Sequence, residues 1–90
     1  MIMYENLIMG GGEITSQGTF KTDNGAFYLF IAPKSESASS VAVLNVKLSR
    51  NKQNTDYPFV AGIWNPVVVN SVDVKATDLQ NYRIFWGETL

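Results

Sequence analysis

The sequence predicts an all-β fold, a small antiparallel β-sandwich or jelly-roll-like barrel of about six to seven strands, from three observations. Six of the nine valines fall in residues 60–74, and both tryptophans, Trp64 and Trp86, lie in the last third of the chain. β-Branched and aromatic side chains suit a pleated surface, so this block reads as paired strands. Turn-forming clusters recur about every 8–12 residues, the spacing of short antiparallel strands. No window long enough for a helix carries apolar residues at i, i+3, i+4 and i+7.

Ninety residues make one domain, and 46% hydrophobic with 17% charged residues is enough to bury a core. A domain of this size has little stability to spare, so a partner or further copies of itself are expected to contribute. There is no cysteine, hence no disulfide framework and no thiolate metal site. A net charge of −1 with scattered cations argues against a nucleic-acid partner. No apolar run reaches the roughly 18 residues of a membrane span, so no membrane partner is expected. Met1-Ile2-Met3-Tyr4-Glu5 lacks the basic start of a signal peptide, and use without secretion is the expectation.

In chain order, residues 1–9 form an apolar arm and Gly10-Gly11-Gly12 a flexible hinge, which divides the chain into residues 1–12 and a single β-domain, residues 13–90. The arm either packs on its own domain as an edge strand or crosses to a neighbouring subunit. Residues 13–23 alternate, with Ile14, Gly18 and Phe20 on one face, and Gly18 marks a bulge or a close backbone approach. Asp23-Asn24-Gly25 signals a hairpin whose return strand is residues 26–32, apolar on both faces. After Pro33 comes a serine-rich, solvated loop.

Residues 41–48 give the clearest alternation: Ala42, Leu44, Val46 and Leu48 share one face, with Asn45 and Lys47 opposite. Residues 50–56 are a polar connection, Pro58 keeps Tyr57 extended, and Pro66 separates a short segment from a long strand at 67–75. Asp78-Leu79-Gln80-Asn81 turns the chain into a last strand at 82–86.

Catalytic constellations are weak. Histidine is absent, which removes the usual base near neutral pH and the commonest nitrogen ligand for metals. Ser49-Arg50-Asn51-Lys52 matches Ser-x-x-Lys without its companion motifs. Asp73 and Asp78 read as exposed charges rather than an acid–base pair, and Asp23-Asn24-Gly25 lacks the remaining ligands of a calcium loop. The expectation is a protein that is not an enzyme and needs no cofactor or metal.

The aromatics say more. Tyr57, Phe59, Trp64, Tyr82, Phe85 and Trp86 crowd residues 57–86, as a core of large side chains or as a partly exposed surface for a subunit or a sugar. Alternation sets Tyr82, Ile84 and Trp86 on one face of the last strand and Arg83 and Phe85 on the other, so both faces carry an aromatic. That excess of apolar surface points to a homo-oligomer, most simply a trimer.

The phrase Phe59-Val60-Ala61-Gly62-Ile63-Trp64-Asn65-Pro66-Val67-Val68-Val69-Asn70-Ser71-Val72, with a Thr77-containing turn and a strand ending Phe85-Trp86-Gly87, resembles small all-β virion proteins of tailed bacteriophages. Val60 stands where that phrase often has proline, and residues 76–81 lack the Gly-Thr repetition of such turns. The resemblance covers about the last 35 residues of the chain. It implies a structural protein working in many copies, docked on a phage capsid as decoration or as the base of a head spike or fibre, so that the expected location is the virion, with the chain made in the host cytoplasm. The alternative is a small carbohydrate- or ligand-binding β-module that uses exposed aromatics. Candidate interface residues are Met1, Ile2, Met3, Leu7 and Ile8 of the arm, with Tyr57, Phe59, Trp64, Phe85 and Trp86.

Overall fold

Strict alternation along residues 41–48 builds the strand that anchors the larger sheet: Ala42, Leu44 and Val46 are buried while Val41 and Val43 face water. The computed structural model describes residues 8–48 and 53–89. Its elements in order are β1 (Ile8–Ile14), β2 (Gly18–Phe20), β3 (Tyr28–Pro33), β4 (Val41–Leu48), β5 (Thr55–Val60), β6 (Val69–Val74), α1 (Ala76–Asn81) and β7 (Tyr82–Thr89). They form two sheets, β1-β7-β3 and β2-β6-β4-β5, antiparallel throughout. The fold is an all-β sandwich. Between the sheets lie Leu29, Ile31 and Ile84 from the first and Leu44, Phe59 and Val72 from the second, each essentially inaccessible to water. Close packing of β-branched and aromatic side chains between two sheets is the main source of stability.

One side of the sandwich is stitched shut. Phe27 and Val69 exchange two backbone hydrogen bonds of 2.9 Å, joining the start of β3 to the start of β6. Residues 61–65 then run beside β3, where Gly62 N–H donates to Ile31 O at 2.8 Å and Asn65 N–H to Leu29 O at 3.0 Å. A positive φ of 90° at Gly62 lets the chain leave β5 and make this turn.

Several expectations are corrected. Gly10-Gly11-Gly12 is not a hinge but the middle of β1, paired with Glu88, Gly87 and Trp86 of β7. The boundary expected between residues 12 and 13 therefore falls inside a strand. The reason for the glycines is close approach: a Cβ on Gly11 would lie 2.5 Å from the Trp86 carbonyl oxygen, and one on Gly12 3.1 Å from Trp86 Nε1. Asp23-Asn24-Gly25 does form a tight turn, with Gly25 N–H donating to Thr22 O at 3.0 Å. It makes no hairpin, because β2 pairs with β6 and β3 with β7, so the turn carries the chain from one sheet to the other.

Residues 76–81 form a single short helix rather than an open turn. Asp78 Oδ2 accepts the Lys75 N–H at 2.9 Å, and Leu79 leans on the core. Ile8, opposite Thr89, starts β1. Met1, Ile2, Met3 and Leu7, and with them the cis or trans course of the arm, lie outside the described residues, as do Ser49 and Lys52.

Candidate functional site

The outer face of the three-stranded sheet carries the most distinctive surface. In β7 the inward set is Tyr82, Ile84 and Trp86, so Arg83 and Phe85 point outward, as alternation requires. Phe30 of β3 pairs directly with Phe85, with ring centroids 6.2 Å apart and planes at 70°. Trp64 adds a third ring 5.5 Å from Phe30 at 61°. Edge-to-face chains of this kind are a favourable arrangement for aromatic quadrupoles. Phe30, Trp64 and Phe85 are all half-buried, so each shows part of its ring to water.

Trp64 is held by its neighbour. Asn65 is 5% exposed, its Oδ1 accepting the Val60 N–H at 2.8 Å. Its Nδ2 lies 3.1 Å from Val60 O and 3.3 Å from both Leu29 O and Ile63 O. A buried amide satisfied this fully pins a loop that has no regular ladder of its own. Residues 63–65 thus become a rigid shelf that holds the indole against Phe30.

Charge borders the rings on one side. Arg83 donates from Nε and Nη2 to the two carboxylate oxygens of Glu13 at 3.1 and 3.0 Å, a bidentate pair diagonal across β1 and β7. The guanidinium also sits 5.0 Å from the Phe85 ring centroid. The hydrogen bonds from Arg83, more than its charge, hold the Glu13 carboxyl below its ordinary range and raise Arg83. Between the rings and β1 lies an open cleft of about 510 Å³, lined by Gly11, Gly12, Glu13, Phe30, Trp64, Phe85 and Trp86. Its walls are largely aromatic, and the Glu13 carboxylate at its edge is already engaged.

The sequence-flagged residues divide. Trp64 and Phe85 meet on this face. Phe59 is fully buried and Tyr57 sits beside it at 5.1 Å on the inward side of β5, so neither forms part of the outer surface. Trp86 belongs mainly to the core side, 5.4 Å from Phe20, and reaches the cleft across Gly12. Ile8 is placed in β1 by its pairing. Two residues were missed: Phe30, whose outward register only strand alternation from Leu29 and Ile31 could reveal, and Asn65, which reads as an ordinary pre-proline loop residue.

The carboxylates singled out for chemistry are separately engaged. Asp73 accepts from Thr19 Oγ1 at 2.6 Å, while Asp78 binds the Lys75 backbone. Among the described residues no three acidic groups come together as a metal site.

Fold and site together define a small antiparallel β-sandwich with an aromatic surface on one outer face. No family model, curated protein or solved structure matches the chain.

Proposed function

We propose that this chain is a non-catalytic structural protein of a tailed-phage virion, self-associating and docking through its aromatic face on a capsid or neighbouring virion protein. The setting rests on the resemblance carried by residues 59–72. The docking rests on one observation: three partly exposed rings, Phe30, Trp64 and Phe85, fixed on the outside of a domain that already has a complete core. Such a surface is the signature of an interface, where aromatic side chains concentrate binding energy. Val41, Val43 and Val60, exposed at 43–57%, add apolar surface on the opposite outer face, which suits a subunit contacted from two sides.

A carbohydrate-binding module is the second reading, favoured by Trp64 alone. Sugars need hydrogen-bonding groups beside the stacking ring, and among the described residues the charged side chain lining the cleft, Glu13, is committed to Arg83. The aromatic lining suits a protein partner better. Mass spectrometry of phage particles purified from the chain's source tests the proposal. The chain is expected as a stoichiometric component in many copies, and its absence from purified particles overturns the reading. Sedimentation of the purified chain reports stoichiometry, with a closed trimer the arrangement favoured from the sequence. A sugar-dependent shift of Trp64 fluorescence would instead support the binding-module reading.

A further inference from the structure

Among the described residues the sandwich has four edge strands, β1 and β3 in one sheet and β2 and β5 in the other. Unpaired edges invite association, and proteins commonly blunt them. Three of these are blunted. β3 is covered by residues 61–65. β5 contains Pro58, which has no N–H, and the Asn65 side chain occupies both the N–H and the C=O of Val60. β2 is only three residues long. β1 is the longest of the four, with seven residues, no proline and a single charge, Glu13, already bound to Arg83; its one irregularity is a register shift at Met9, which leaves residues 10–14 as a regular edge. Among the described residues nothing pairs with its outer edge.

Which groups face outward follows from the ladder. The carbonyls of Leu29 and Ile31 point to residues 61–65, so by alternation Phe30 points to β7 and its partner Phe85 points back to β3. Ile84 and Trp86 therefore face β1, where they meet Ile14 and Gly12. Gly11 and Glu13 are left with their N–H and C=O groups directed away from the sheet.

We propose that β1 pairs edge to edge with β1 of a second copy, antiparallel about a two-fold axis at Gly11. This rests on the self-associating reading above but puts a two-fold contact in place of the closed trimer expected from the sequence, which has no two-fold axis. The register centred on Gly11 aligns the seven residues of the strand, whose ladder with β7 is regular over residues 10–14 and shifts at Met9. Gly11 exchanges two hydrogen bonds with Gly11 of the partner subunit, and Glu13 lies opposite Met9 of the partner subunit, where the β1–β7 register shifts, so no like charges oppose. A chain of net charge −1 offers little repulsion to its own copy. The occupant is a second copy because the edge is self-complementary in this register. The axis is normal to the sheet, so both outer faces lie on the same side. The two aromatic clefts, each bordered by Gly11 and Gly12, then become neighbours across one six-stranded sheet, doubling the surface available for docking.

The test combines sedimentation with hydrogen exchange on the full chain. The expected result is a species of twice the 10.0 kDa chain mass, or an even multiple of it, with the Gly11 and Glu13 amides slowing as concentration rises. Glu13→Pro removes an outward N–H without touching the β7 ladder and is expected to weaken association by at least about tenfold. Glu13→Ala loses the same ion pair but keeps the N–H, and should remain associated. Exchange on the unaltered chain decides the matter should Glu13→Pro fail to fold. A monomer up to millimolar concentration overturns the inference. So does a dimer unaffected by Glu13→Pro, and so does slow exchange at Gly11 and Glu13 in a monomer, which would place part of the same chain on the edge. A closed trimer with fast exchange at these amides overturns the edge contact while leaving the virion reading intact. A β1-paired dimer absent from phage particles does the reverse.

Discussion

Trp86 lies across Gly12, its directly opposed cross-strand partner, so closely that a Cβ at position 12 would sit 3.1 Å from the indole nitrogen. The glycine run is thus graded by what each position faces. Gly11→Ala meets backbone at 2.5 Å and should destabilise most, by about 1–3 kcal/mol as an overpacked site. Gly12→Ala meets only the movable indole and should cost less. Gly10→Ala finds its nearest neighbour at 3.9 Å and should be neutral or stabilise by about 0.4–1 kcal/mol. Urea unfolding of the three variants gives the ranking, and a hinge would make all three alike.

Asn65 holds the Trp64 shelf. Asn65→Ala leaves the Val60 N–H and the carbonyls of Val60 and Leu29 without their side-chain partner, and should cost about 2–4 kcal/mol. Trp64 fluorescence should shift to the red as the ring loses Phe30. Asn65→Asp retains the acceptor and loses both donors, so it should not rescue. Preserved stability and emission would show the shelf to be held by other contacts.

Phe59 and Phe85 separate core from surface. Phe59→Ala should cost about 3–5 kcal/mol, since the ring is fully buried. Phe85→Ala should cost clearly less and reduce association with the virion partner. Equal losses of stability would remove Phe85 from the candidate surface.

The Glu13–Arg83 pair has a defined pH dependence. The folded carboxyl titrates below its ordinary value of 4.5, so the unfolded chain binds the proton more readily. The contribution is therefore whole above about pH 4.5 and is lost as pH falls through the lower folded value. It is small, because the pair is exposed and screened. The stability difference between the parent chain and Glu13→Gln should shrink as pH falls below 4.5 and as salt is raised. A difference that grows on acidification would reverse the sign.

Where local pattern and tertiary placement agree, the fold is readable from the chain. Residues 41–48 and 82–86 alternate as written, because each strand has one face on the core. The failures share a cause: the deciding contact is remote in sequence. Asp23-Asn24-Gly25 specifies a turn, yet whether its flanks pair with each other or with β6 and β7 depends on residues about 50 or more positions away. Gly10-Gly11-Gly12 looks like freedom until Trp86 is laid across it. The six-residue α1 is too short to show a helical period. At the site, the clustering of aromatics was legible, but the choice of Trp64 and Phe85 over Tyr57 and Phe59 was not. It depends on which side of β5 and β7 faces the opposing sheet and, for Trp64, on residues 61–65 running beside β3.

The pairing of Ile8 with Thr89 brings the first and last described residues to one corner of the molecule. Tension applied between these two points loads the β1–β7 ladder at its end, so its hydrogen bonds rupture in succession rather than sharing the force in shear. Tethering by these two points would therefore be mechanically weak. The broad faces, whose side chains are backed by the whole sandwich, are the surfaces suited to carrying load.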